Sequence, residues 1–129
     1  MKFIILLYVG LIILLNIIPL DGASLNTTKL GPFRLDYLLH TALFLPWMFF
    51  VYLRPDPGWK LRIRPVKPLP FLSWMTLGLL LAAGSEGIQY WLDYRGFNPM
   101  DALFNALGVV VGAVFLVLGS AFRVGRIED

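Results

Sequence analysis

At 129 residues, with 58% hydrophobic side chains, a mean hydropathy of +0.74 and a formal charge of +3, the chain has too few polar residues to clothe a water-soluble globule. It contains no cysteine, which excludes disulfides, thiol nucleophiles and thiolate metal sites. What remains is an all-α polytopic membrane protein. Four apolar stretches of 17 to 23 residues predict four transmembrane helices in one small bundle, forming a single domain over residues 1–129.

The first helix is expected over residues 3–20, where Lys2 precedes the apolar run and Pro19 with Asp21-Gly22 closes it. Small residues at Gly22, Ala23 and Ser24 would also suit a cleaved signal peptide. The apolar run exceeds the usual core of about 7 to 15 residues, however, and Asp21 spoils a cut after Ala23, so retention is expected. A polar loop through Asn26, Thr27 and Thr28 leads to the second helix, expected over residues 37–53 and opened by Asp36 and His40.

The second loop differs in kind. Its prolines (Pro55, Pro57, Pro65, Pro68, Pro70) argue against any helix, while Trp59, Leu61 and Ile63 alternate with Lys60, Arg62 and Arg64 at period two. That pattern suits either an extended strip on anionic head groups or a solvated loop that sets topology. The third helix, expected over residues 71–92, carries Glu86 and Gln89 in its last two turns. Arg95 falls in the short connection, and the fourth helix, expected over residues 100–122, begins with Asp101 and Asn105 behind an Asn98-Pro99 capping signal.

The amino end, the second loop and the carboxyl end hold eight of the 11 Lys and Arg residues, and the first and third loops hold three. Both termini are therefore expected on the cytoplasmic side. The pI near 9.5 reads as topology, with no nucleic-acid partner expected. Aromatic residues mark the same boundaries: Tyr37, Tyr90, Trp91 and Tyr94 at the outer ends, Tyr52, Trp59 and Trp74 at the inner ones. Tyr8 and Trp47 lie deeper, as packing residues.

A charge at a helix centre costs roughly 2.5 to 3.5 kcal/mol on insertion scales, so the polar positions need a reason. Asp36 and His40 are four apart, Glu86 and Gln89 three apart, and Asp101 and Asn105 four apart, so each pair shares a helix face on the expected extracytoplasmic half. Beyond Asn105 the same stripe reaches Gly108 and Gly112, a small-residue spacing that allows close approach of another helix. Ala83 and Gly87 are expected to do the same on the third helix.

Asp36 with His40, Glu86-Gly87-Ile88-Gln89, Arg95, and Asp101-Ala102-Leu103-Phe104-Asn105 continuing to Gly108 and Gly112 form an ordered set that resembles the VanZ-like membrane proteins. The resemblance covers most of the chain from Asp36 onward. One departure is that Tyr37 stands where that family often has Lys. The resemblance implies a protein of the bacterial cytoplasmic membrane, in a family whose founding member is associated with resistance to the glycopeptide teicoplanin. It attaches no secure biochemical reaction.

Three functional readings stay open. In the first, the site captures a membrane lipid, an envelope precursor or an amphiphilic antibiotic by its head group, with Asp36, Gln89, Arg95 and Asn105 as binding residues. In the second, His40, Glu86 and Asp101 are catalytic, exchanging protons on a lipid-linked substrate while Arg95 holds an anionic group. In the third, the same residues form a structural network. Singly, Asp36 and Asp101 could merely serve helix N-termini, and Gln89 and Asn105 could be interhelical hydrogen-bonding groups. No cofactor and no metal site is expected: His40, Glu86 and Asp101 could chemically hold an ion, but their spacing carries no metal signature. The glycine stripe leaves oligomeric state open.

Overall fold

A computed structural model describes residues 2–18, 28–30, 33–55, 61–93 and 97–124. In chain order these form α1 (Lys2–Ile17), β1 (Lys29–Leu30), β2 (Phe33–Arg34), α2 (Leu35–Phe44), α3 (Trp47–Tyr52), β3 (Leu53–Pro55), β4 (Leu61–Ile63), α4 (Pro68–Gln89) and α5 (Pro99–Val124). The chain is mostly helical. Two short antiparallel ribbons, β1 with β2 and β3 with β4, connect the helices.

Three segments are long and apolar enough to cross a membrane: Leu35–Tyr52, Pro68–Gln89 and Pro99–Ala121. Phe3–Ile17 is a shorter apolar helix. Their outward faces carry Leu6, Leu7, Leu72, Leu80, Leu103 and Val114, each more than half exposed, which suits hydrocarbon rather than water. Inside, Ile12, Phe44, Trp47, Met48, Val109 and Leu116 are buried together.

Helix bounds differ from the sequence expectation for identifiable reasons. The second span starts at Leu35 and is interrupted at Leu45–Pro46, because Pro46 has no N–H and its ring opposes the carbonyl four residues earlier. Leu45 N still donates to Thr41 O at 3.0 Å and Phe50 N to Pro46 O at 3.0 Å, so the ladder resumes directly. The third helix begins at Pro68, not residue 71, and so takes in two of the prolines that argued against helix. In a first turn the missing N–H would have had no intrahelical partner anyway. At the other end α4 stops at Gln89 and passes into a turn.

The extended reading of the second loop holds for Leu61–Ile63, which pairs in register with Leu53–Pro55: Leu53 faces Ile63 and Arg54 faces Arg62. Trp59 and Lys60 lie outside the described residues. Tyr52, expected at an interface, is buried at 3% exposure, whereas Tyr90 and Trp91 are 73% and 83% exposed at the opposite end. Tyr8 and Trp47 stack with ring centroids 6.5 Å apart, and Tyr8 OH donates to Leu43 O.

Small residues place the helices. An added Cβ at Gly108 would run into the Thr41 carbonyl, and one at Gly112 into the Leu45 carbonyl, so both glycines let α5 lie directly against the α2–α3 backbone. Ala83 and Gly87 do not provide the corresponding approach on α4: Ala83 is exposed, and space is open around Gly87. Gly78 and Ala82 face inward instead, and Gly78 receives the edge of Trp47, whose Nε1 donates to Trp74 O at 2.9 Å. The whole inward face of α4, continuing to Ser85, Glu86 and Gln89, is rotated about one position from the stripe that Ala83 and Gly87 would define.

Candidate functional site

The last turns of α1 and α4 meet the first turns of α2 and α5, and at this end of the bundle the polar residues gather. Glu86 and Asn105 are fully buried, Gln89 and Asn16 are 2% exposed, and the His40 and Asp101 side chains are 14% exposed. Helical phase accounts for this: Glu86 and Gln89 share the inward face of α4, and Asn105 continues the Gly108–Gly112 stripe that already faces α2.

His40 is the hub. Its Nδ1 lies 2.9 Å from Asn105 Oδ1 and 3.9 Å from Glu86 Oε1, and its Nε2 lies 3.6 Å from Asp101 Oδ2. Asn105 Nδ2 donates to Glu86 Oε1 at 3.2 Å and to Ser85 Oγ at 3.5 Å. An amide that gives its N–H to a carboxylate must present its oxygen on the other side, so Asn105 Oδ1 accepts from His40 and Nδ1 is the protonated nitrogen. Nε2 is thereby turned toward Asp101.

The network continues across the bundle. Gln89 Nε2 donates to Glu86 Oε1 at 3.4 Å and to Asn16 Oδ1 at 2.7 Å, which brings α1 into the site. Asn16 Nδ2 is anchored on Ile12 O at 2.8 Å. On the other flank Asn98 begins α5 as the spacing suggests: its Oδ1 accepts from Met100 N at 3.1 Å while its Nδ2 donates to Asp101 Oδ1 at 2.8 Å.

Asp36 belongs to the rim. Arg34 forks onto it, Nε to Oδ1 at 3.1 Å and Nη2 to Oδ2 at 2.6 Å, and this hydrogen-bonded pairing holds the guanidinium above its ordinary pKa. Arg34 also lies 4.6 Å from the centroid of the Tyr37 ring, which stacks on Phe104 at 4.6 Å with the planes 7° apart. Tyr37 thus supports a cation with its ring.

The structure brings together His40, Glu86, Gln89, Asp101 and Asn105, and puts Asp36 beside them with Arg34. Arg95 lies outside the described residues. Sequence reasoning did not place Asn16, Ser85 or Arg34 in the site. Asn16 carried a signal, as a lone amide in an otherwise apolar run. Ser85 did not, since adjacent helical residues do not normally share a face, yet Ser85 is 1% exposed and donates to Ala82 O at 3.0 Å. Arg34 counted only as a loop cation until the fork onto Asp36 was visible.

Chemically, one imidazole (His40), two carboxylates (Glu86 and Asp101) and four amides (Asn16, Gln89, Asn98 and Asn105) form a polar cluster inside an apolar bundle. It can exchange protons between His40 and Asp101, accept donors from a polar head group, or hold a cation. No curated protein and no solved structure matches the chain. A sequence model described as VanZ/LLP1 matches residues 3–120. That span reaches into all four apolar segments and includes every residue of the cluster, and the chain belongs to the VanZ/LLP1 family.

Proposed function

We propose that the chain binds the polar head group of an amphiphile, a membrane lipid, envelope precursor or amphiphilic antibiotic, in a pocket at the His40 end of the bundle. In this reading the protein resides in the bacterial cytoplasmic membrane with both termini cytoplasmic and the His40 end outward. The single observation that carries it is the gathering of His40, Glu86, Gln89, Asp101 and Asn105 at one depth, where burial without a task would be costly. The outward apolar faces beside it suit an acyl or prenyl tail, and Arg34 at the rim suits an anionic group.

Catalysis on a lipid-linked substrate is the second reading, favoured by one specific feature: the His40 ring bridges an amide-held carboxylate, Glu86, and a second carboxylate, Asp101. Glu86→Gln separates these readings because it keeps the shape and removes the ionisable carboxyl. Lipids extracted from purified wild type and Glu86→Gln, compared by mass spectrometry, should show one amphiphile enriched in wild type and lost from the variant, with helical content unchanged. Conversion of that amphiphile by wild type alone would favour catalysis. Identical lipid profiles with only lower stability in the variant would leave a structural network and overturn the binding proposal. Addition of teicoplanin to the same extraction tests the antibiotic as ligand.

A further inference from the structure

We infer that His40, Glu86 and Asp101 form a binding site for a divalent cation of the zinc or manganese class. The three come from α2, α4 and α5, and one ligand atom from each lies within 4.8 Å of the others. His40 Nε2 and Asp101 Oδ2 stand 3.6 Å apart. Two ligands at about 2.1 Å from a tetrahedral ion are separated by about 3.4 Å, so this pair is already near the edge length of a coordination polyhedron. The Glu86 carboxylate belongs to the same group, within the 4.8 Å that encloses all three.

The separation also exceeds a direct hydrogen bond between the two atoms. With Nδ1 protonated toward Asn105, the Nε2 lone pair faces a carboxylate oxygen. A proton between those two atoms would draw them to about 2.7 to 2.9 Å. The observed 3.6 Å is longer than that and close to the donor–donor edge around a bound cation.

Each of the three side chains is oriented by an amide. Asn105 Oδ1 holds His40 Nδ1 at 2.9 Å; Asn105 Nδ2 and Gln89 Nε2 hold Glu86 Oε1 at 3.2 and 3.4 Å; Asn98 Nδ2 holds Asp101 Oδ1 at 2.8 Å. An outer ring of hydrogen bonds that fixes tautomer and carboxylate direction is the usual companion of a metal site. Charge agrees: two carboxylates and a neutral imidazole around a dication sum to zero, which removes the penalty of leaving net charge in an apolar bundle. Mixed imidazole and carboxylate donors without thiolate suit Zn²⁺ or Mn²⁺ better than softer ions.

The cation site goes beyond the head-group reading and does not require it. Joined to that reading, on which this extension rests, it narrows the ligand to a phosphate- or pyrophosphate-bearing amphiphile, whose oxygens would fill the remaining coordination positions.

The test uses untagged full-length protein in detergent, stripped with chelator and titrated with Mn²⁺ under electron paramagnetic resonance and with Zn²⁺ by calorimetry. One equivalent should bind saturably, and Asp101→Asn should weaken binding by about tenfold or more. Because the chain has one histidine, ¹⁵N-histidine labelling assigns any imidazole coupling to Mn²⁺ to His40 without a variant. That coupling is expected even where Asp101→Asn fails to fold. Absence of saturable binding to folded wild type at about 1 mM metal, binding without nitrogen coupling, or unchanged affinity in folded Asp101→Asn would each overturn the site. An amphiphile that co-purifies equally with metal-free protein would leave the head-group reading intact while removing the phosphate–metal link.

Discussion

Gly112→Ala adds one methyl group where the α5 surface meets backbone. Its Cβ would be driven into the Leu45 carbonyl oxygen and would come within 3.2 Å of the Leu45 carbonyl carbon. Neither atom can rotate aside as a side chain would, so the helices must separate locally and give up part of the packing among Phe44, Met48, Val109 and Leu116. Overpacking of this kind costs about 1 to 3 kcal/mol, against which Ala gains up to about 1 kcal/mol of helix propensity over Gly. A net loss of about 1 to 2 kcal/mol is expected. Gly119→Ala, seven residues further along the same helix and in open space, retains only the gain and should be neutral or slightly stabilising. The assay is unfolding from a mild detergent by increasing SDS, followed by far-UV circular dichroism, on wild type and the two single variants. If Gly112→Ala unfolds at the same SDS fraction as Gly119→Ala, the close contact of α5 with the Leu45 backbone is refuted.

Two further outcomes follow from named contacts. Asn16→Leu removes the oxygen that accepts from Gln89 at 2.7 Å, and should cost about 1 kcal/mol in the same unfolding assay, within the range for hydrogen bonds between membrane helices. Adding Gln89→Leu should cost less than the sum of the single changes; strict additivity would mean that the two amides do not interact. Orientation is open to thiol chemistry because the chain has no native cysteine: Asp93→Cys, exposed at the His40 end, should label in intact cells with an impermeant reagent, whereas Arg64→Cys, exposed beside the β3–β4 ribbon, should not. The reverse pattern would invert the proposed topology.

Apolar run length made the helices legible in the sequence, because a bilayer core of about 30 Å imposes a minimum length that composition alone can satisfy. The bounds moved by two or three residues where local chemistry overrode the pattern, as at Pro68 and Pro70. Spacing of three and four also put Glu86 with Gln89 and Asn105 with Gly108 and Gly112 on common faces, since those pairings follow from the helical repeat alone. The inward face of α4 was not legible to the same degree. Around that helix Ala83 and Gly87 read as small as Gly78 and Ala82, and only the position of Trp47 decides between them.

By itself, then, the sequence determined a polytopic helical bundle, a set of polar residues near helix ends, and the glycine stripe through which α5 meets a neighbour. Tertiary structure decided which partners those residues have. It joined Asn16 to Gln89, gave Asp36 to Arg34, and set His40 between Asn105 and Asp101. The physical reason is that helical periodicity fixes the direction of each side chain relative to its own axis, while the rotation and depth of one helix against another come from packing between segments far apart in the chain.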